Sequence, residues 1–240
     1  MARAFLGWLA VPSGGRWLDV GCGTGALAET ILSVAAPGEV VGIDPSPAFV
    51  AFARDRVRDP RARFDIGDAQ GLRADPATFD AVVAGLVLNF VPEPGRAVSE
   101  MARAARPGGT VAAYVWDYAE GMQMMRHFWD AAAELDPRSR ELDEGNRFTL
   151  CRPEPLADLF RSTGLDDVEV RAIDVPTVFR DFDDYWSPFL GGQGPAPGYA
   201  MSLGQEQRAA LRERLRANLP TNAKGEHHLT ARAWAVRGTR

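Results

Sequence analysis

The sequence predicts an α/β fold built on a parallel sheet, and three observations carry the prediction. From Arg16 to Tyr118, short apolar runs alternate with helical stretches, the order expected of βαβ units. Each run is apolar almost throughout and bounded by Gly, Pro or Asp, as strands covered on both faces require. With 240 residues, 46% of them apolar and 25% charged, the chain can bury a large core and is too apolar to stay disordered.

The opening MARAFLGWLAV has the look of a short secretory leader, but no small-x-small cleavage site follows it. A turn and a strand needed by the fold come next, so the segment reads as an N-terminal helix. The strands are RWLDVG, EVVGID, ARFDIG, FDAVVAG and GTVAAYVW. Between the first two, Leu27, Ile31 and Ala35 share a helical face; before the fifth, so do Val98, Met101, Ala102 and Ala105. Pro107, Gly108 and Gly109 should stop that helix at Arg106.

Beyond Tyr118 a Met- and aromatic-rich helix covers Met122 to Leu135, and an acidic, loop-rich stretch runs to Leu150. Leu156, Leu159 and Phe160 then share a face, with Gly164 as a left-handed helix stop. DVEVRAIDVPTVF reads as a strand bending near Pro176, and HLTARAWAVRG as the last strand. The connection from Arg180 to Thr221 is unusually long, which marks it as functional or as a lid. Gly191, Gly192, Gly194 and Gly198 beside Pro195 and Pro197 offer it hinges; a rigid packing element or a dimer contact is the alternative. Within it, Leu211, Leu215 and Leu219 with Arg208, Arg212, Arg214 and Arg216 make an amphipathic surface helix.

Composition narrows the function. Lys+Arg 27 against Asp+Glu 32 gives 27 − 32 = −5, no basis for binding nucleic acid through a global basic field. Cys22 and Cys151 are too few for a disulfide framework or a thiolate metal site, so no metal is expected and the chain reads as cytoplasmic with no membrane partner.

The chemistry concentrates in LDVGCGTG, Leu18 to Gly25, at the junction of the first strand and first helix. Gly21, Gly23 and Gly25 let the chain turn tightly and let a ligand lie against main-chain atoms. Asp44 ends the second strand 19 residues beyond Gly25, placed to accept both hydroxyls of a ribose, and Asp68 ends the third. Three strand tips thus meet at one crevice, where open α/β sheets bind ligands. The spacing is G-x-G-x-G rather than the dinucleotide G-x-G-x-x-G, and Asp19 suits a cationic ligand better than a pyrophosphate, which wants bare amides.

These residues resemble the class I S-adenosylmethionine-dependent methyltransferases, of the small-molecule, type 11-like kind, from about Arg16 to Trp116. The resemblance implies a Rossmann-like, seven-stranded, mostly parallel sheet with helices on both faces, an antiparallel last strand and a small lid insertion. It implies a single methyltransferase domain over 1–240: a cofactor-binding half at 12–118 and lid or substrate segments at 119–150 and 180–221. S-adenosylmethionine would be the cofactor, with Gly21, Cys22, Gly23 and Gly25 at its methionine end and Asp19 ordering that region. Asp44 would hold the ribose with Pro45 and Ser46 beside the adenosine, and Asp68, Ala69 and Gln70 would meet the adenine. AGLVLNF, with Gly85, Leu86 and Asn89, matches the strand that passes under the methionine portion; Asn89 either contacts ligand or caps the next turn. GLVLNFV and RPGG are most similar to enzymes methylating quinones and polyketides. Fewer residues precede the first strand than many relatives carry, which leaves a truncated start open.

The implied partner is a small-molecule methyl acceptor, with a homodimer open. His127 is the candidate base or hydrogen-bonding group, with Asp117, Tyr118 and Tyr185 behind it; His227 and His228 are expected at the surface. Two aromatic clusters, Trp116 to Trp129 and Phe179 to Tyr199, fit either a planar acceptor or the packing of a lid. Against methyl transfer stand a nicotinamide-dependent oxidoreductase, disfavoured by the glycine spacing, and a non-catalytic S-adenosylmethionine or S-adenosylhomocysteine sensor.

Overall fold

The computed structural model describes every residue except Gly192 and Gln193, so the hinge expected at Gly192 lies outside the described residues. The seven strands form one sheet in the order β3-β2-β1-β4-β5-β7-β6: β1 (Arg16–Val20), β2 (Glu39–Asp44), β3 (Ala62–Ile66), β4 (Phe79–Gly85), β5 (Ala105–Trp116), β6 (Asp166–Phe179) and β7 (His227–Thr239). β1 to β5 pair in parallel. β7 runs antiparallel: Gly108 N–H donates to Arg240 O at 2.8 Å and Arg240 N–H to Gly109 O at 3.1 Å.

By its internal contacts the chain divides into two compact units, one made of 1–115, 152–173 and 234–240, the other of 116–151 and 174–233. In the first, α1 (Ala2–Leu9) packs Phe5, Leu6 and Leu9 inward and touches α2 (Ala26–Val34), while α3 (Pro47–Arg56) lies on β2 and β3. α4 (Pro94–Ala104) lies on β4 through Ala97, Val98, Met101 and Ala104. It ends two residues earlier than expected. Ala105 is already extended, and its pairing with Phe79 draws the whole RPGG segment into β5.

The β3-to-β4 connection must cross β2 and β1 to reach its place. Such crossovers are usually helical. Here residues 67–78 form no helix, and their ends are instead tied to β2 and to α4, as Gly67 N–H donates to Asp44 O at 3.1 Å and Ala77 N–H to Arg103 O at 3.0 Å.

The second unit holds α5 (Gln123–Leu135) and the one-turn α6 (Glu144–Arg147); α7 (Pro153–Ser162) belongs to the first. The long connection expected from Arg180 to Thr221 is largely helical: α8 (Phe182–Trp186), a 3-10 turn at Ser187–Leu190, α9 (Pro195–Ser202) and α10 (Gln205–Asn218). Its rings are core. Phe128 stacks on Phe189 with centroids 4.5 Å apart and meets Trp129 edge-on at 5.2 Å, and Tyr185 sits edge-on to Phe179 at 5.3 Å. These rings, with Phe182, Trp186, Tyr199, Leu211, Leu215 and Leu219, are buried together.

The acidic stretch after α5 is not simply solvated loop. Asp143 and Glu144 are buried, Asp143 paired with Arg126 and Glu144 accepting from the Trp129 indole N–H. The α10 arginines are likewise engaged inside the unit. Arg208 donates to Ala200 O at 2.8 Å and Leu203 O at 2.7 Å, Arg212 pairs with Asp183 at 2.6 Å, Arg214 with Glu134 at 3.1 Å, and Arg216 lies 4.2 Å over the Phe182 ring. Among the described residues, no helix is long and apolar enough to cross a membrane.

Candidate functional site

The glycine turn after β1 folds as its spacing requires. Gly21, Gly23 and Gly25 all take left-handed backbone angles, φ 70°, 52° and 84°, and a Gly21 side chain would start 2.5 Å from Val87 Cγ2. At Gly23 a side chain would meet nothing within 4 Å, which leaves open space against the backbone. The turn's amides are mostly committed. Gly21 and Cys22 N–H donate to Ile43 O at 2.7 and 3.0 Å, Gly25 N–H to Cys22 O at 2.9 Å, and Gly23 N–H to Asp44 Oδ2 at 2.9 Å.

Asp44 is held from both sides, since Ser46 N–H donates to its Oδ1 at 2.9 Å. Each carboxylate oxygen keeps a further lone pair for another donor. Ser46 caps α3 by accepting from Phe49 N–H at 3.3 Å, and Pro47 opens the helix. Phe49, one turn along, is 50% exposed.

Asp19 lies one residue before the end of β1, 1% exposed, and neither carboxylate oxygen has a hydrogen-bond partner. Burial pushes its carboxyl from an ordinary 3.8 up to about 7; the Ala28 backbone N–H, short of hydrogen-bond geometry, draws it partly back, and the Asp44 charge adds to the rise. Burial also pushes the Cys22 thiol far above its ordinary range, with Asp19 and Asp44 adding to it. The thiol fills core: a Gly42 side chain would start 2.9 Å from Cys22 Sγ, so Cys22 brings only backbone to the turn.

A cavity of about 360 Å³ is lined by Gly21, Asp44, Pro45, Ser46, Asp68, Ala69, Gln70 and Leu86, all expected from the sequence. Phe49, Val87, Phe90, Val91 and Pro92 complete it. Phe49 escaped the sequence reading, although its place three residues after a helix-capping serine was a usable signal. Phe90, like Phe49, keeps an exposed ring at this cavity, 61% accessible. Leu86 follows Gly85 with a left-handed φ of 62°, strained for a side-chain-bearing residue. Only glycine fits at Gly85, because a side chain there would start 2.7 Å from the Tyr114 hydroxyl. Asn89 lies in a 3-10 turn at Leu88–Phe90 with its buried Nδ2 unpaired, and it caps nothing.

His127 sits on α5, half-buried, and burial lowers its pKa, with Asp130 opposing. The other base candidates carry structural bonds. Tyr185 is buried and its hydroxyl donates to Met124 O at 2.8 Å; Asp117 Oδ1 accepts from Glu120 N–H at 3.0 Å; the Tyr118 ring packs on Phe148 at 5.6 Å. His227 was expected at the surface and is 3% exposed, its Nδ1 2.9 Å from Pro220 O and its ring edge-on to Phe182, because it begins a strand whose inward positions form the second unit's core. His228 is exposed beside Glu226 at 3.0 Å. Among the described residues no three His, Cys, Asp or Glu side chains gather as metal ligands.

The chain matches the family described as "Methyltransferase domain" over residues 18–113. It is 32% identical over 177 residues to the demethylmenaquinone methyltransferase of Roseiflexus sp. (strain RS-1), covering 68% of this chain and 73% of that protein. The chain belongs to the class I S-adenosylmethionine-dependent methyltransferases. It is an enzyme of that family. A 2-methyl-6-phytyl-1,4-hydroquinone methyltransferase of Synechocystis sp. is 29% identical over 188 residues, 77% of this chain and 57% of that one. The solved phosphoethanolamine N-methyltransferase 2 of Haemonchus contortus, in complex with phosphomonomethylethanolamine and S-adenosylhomocysteine, shares the methyltransferase fold at TM-score 0.63 and 20% identity, covering all of this chain and 52% of that one.

Proposed function

We propose that this methyltransferase binds S-adenosylmethionine at the tips of β1, β2 and β3 and transfers its methyl group by direct in-line displacement to a small, flat, apolar acceptor of the hydroquinone or phenol kind. The observation that carries the cofactor assignment is the pairing of a partnerless buried acid, Asp19, with a glycine turn whose amides at Gly21, Cys22, Gly23 and Gly25 are already committed. A pyrophosphate needs bare amides and no buried acid, so the nicotinamide alternative loses both supports. A ligand carrying a cationic amine and sulfonium gains from the same carboxylate.

Asp44 would accept from both ribose hydroxyls, already oriented by Gly23 and Ser46. Ala69 and the exposed Phe49 and Phe90 rings offer apolar surface for an adenine, and Asp68 an acceptor for its amine. The cofactor supplies an activated methyl group, so the chain's task is to place the acceptor in line and keep water out, which is worth roughly 7 to 11 kcal/mol. An acceptor hydroxyl must lose its proton. His127, whose burial lowers its pKa and so favours the neutral, proton-accepting form, is the side chain offered for it. The acceptor class rests on the relatives, two of which are named for quinone substrates.

Calorimetry with S-adenosylmethionine and S-adenosylhomocysteine, followed by a methyl-transfer assay over hydroquinones, phenols and amines, tests this reading. Binding of both, with turnover on a hydroquinone or phenol, is expected; binding without turnover on any acceptor would favour a sensor. On an active acceptor, His127→Ala should lower kcat about 100-fold and leave S-adenosylhomocysteine affinity unchanged.

A further inference from the structure

The crossover from 67 to 78 carries Asp68, Ala69 and Gln70 into the cavity, yet it has no helix to stiffen it. Beyond its tie to β2 at Gly67, its fixings come from α4. Arg103 donates from Nη1 to Ala74 O and from Nη2 to Leu72 O, both at 2.8 Å, and Glu100 Oε2 accepts from Leu72 N–H at 2.9 Å. The two side chains are themselves joined, Nε to Oε1 at 2.9 Å and Nη2 to Oε2 at 2.8 Å. Two guanidinium bonds and one carboxylate–amide bond therefore converge on a span of three residues, and two more guanidinium bonds lock the clamp's own side chains together. Leu72, gripped at both its N–H and its C=O, is buried and lies four residues beyond Asp68.

Between them the chain is stitched to the cavity. Gln70 N–H donates to Asp68 Oδ1 at 2.9 Å, and Gln70 Oε1 accepts from Glu93 N–H at 3.0 Å, just before α4 begins. α4 thus grips the crossover at 72 and 74, and Glu93, the residue before it, holds the crossover again at 70. The charged pair sits in partial burial, where the guanidinium holds the Glu100 carboxyl below its ordinary range and its fork geometry fixes two carbonyls at once.

We infer that Glu100 and Arg103 are positioning residues for cofactor recognition: by clamping the backbone at Leu72 and Ala74 they hold Asp68 and Gln70 at the adenine end of the cavity. The inference rests on the cofactor reading above and adds to it residues on α4 that do not line the cavity. Their effect passes through Asp68. Losing them should therefore remove the recognition that Asp68 supplies rather than weaken every contact alike.

The test is S-adenosylhomocysteine binding by calorimetry on the full chain, with thermal melts confirming that each variant is folded. Arg103→Ala and Glu100→Ala should each weaken binding roughly 10-fold, the size of one charged hydrogen bond. Glu100→Gln, which keeps an acceptor for Leu72 N–H, should lose less, and it carries the test if the alanine variants do not fold. In an Asp68→Ala background the added Arg103→Ala should cost less than about 3-fold, since the two act as one unit. S-inosylhomocysteine, whose base has oxygen in place of the exocyclic amine, should bind wild type about 10-fold more weakly than S-adenosylhomocysteine and Arg103→Ala almost equally. Independent losses from Arg103→Ala and Asp68→Ala, or undiminished discrimination of the two bases in Arg103→Ala, would overturn the clamp while leaving the cofactor reading intact. A wild-type chain that binds no S-adenosylhomocysteine would overturn that reading and the clamp with it.

Discussion

A buried carboxylate with neither oxygen bonded destabilises the fold that contains it, and Asp19 is such a group. Its carboxyl titrates near 7 when folded and near 3.8 when unfolded, so between those values the folded chain retains a proton that the unfolded chain has released. Stability of the ligand-free protein should therefore fall as pH rises from about 4 to about 7, by on the order of 4 kcal/mol from this group, and level off above. Urea unfolding of wild type and Asp19→Asn at pH 5, 6, 7 and 8 checks the sign: the variant should gain on wild type with rising pH, and a constant difference would refute it. A cationic ligand wants the ionised form, so affinity should rise with pH up to about 7 and Asp19→Asn should weaken it. Asp44→Ala should weaken S-adenosylmethionine and S-adenosylhomocysteine alike, by roughly 1.5 to 3 kcal/mol, because both carry the same ribose; calorimetry showing equal affinities would remove Asp44 from the site. Asp19 and Asp44 were legible because strand ends and a glycine turn are local patterns. The burial of His227 was not, since it depends on α8 rings some forty residues earlier in the chain folding back against it.

At the scale of elements, periodicity located the strands and the longer amphipathic helices, passed over α3, α6, α8 and α9, and misjudged what happens where an element ends. α4 stops at Ala104 because a strand partner claims Ala105, a long-range fact that the RPGG sequence does not encode. Nor does spacing say where an arginine goes. The α10 arginines could be read only as a charged face, whereas Arg208 crosses to the end of α9 and takes up its last carbonyls, with a further bond to Met201 O at 3.0 Å. Arg208→Ala should cost about 1 to 2 kcal/mol in chemical denaturation and speed hydrogen exchange at the C-terminal turn of α9. No change would mean that water serves those carbonyls equally well. The fast exchange that a glycine- and proline-rich connection suggests is not expected for α9 itself, since Ala196, Tyr199 and Ala200 are buried in the second unit's core. Likewise the Glu100 and Arg103 clamp had a signal, an i,i+3 acid–base pair just ahead of RPGG, but its targets are backbone atoms and leave no trace in composition.

For the whole molecule, the alternation of apolar runs and helices was enough to indicate a parallel sheet, and the resemblance carried by LDVGCGTG, Asp44 and Asp68 supplied the strand count and the reversed last strand. A small lid made from 119–150 and 180–221 was expected; what neither supplied was the extent of the unit, 116–151 with 174–233, or that it has a core of its own. Aromatic density reads the same whether rings stack on a ligand or on each other, and here most of them stack on each other. The sheet order has one further consequence, for how the chain is made. β6 has β7 as its sheet neighbour, and the whole 180–226 segment separates the two. At the usual pace of synthesis β6 waits roughly 3 to 12 seconds before the strand that shelters it emerges. During that interval Glu169, Arg171 and Asp174 stand along it as charges that discourage pairing with a stray strand. When β7 arrives, Arg237 meets Glu169 at 2.7 Å and Arg232 meets Asp174 at 2.8 Å, so two of the charges that keep a newborn edge solitary become the marks by which its one proper neighbour is aligned.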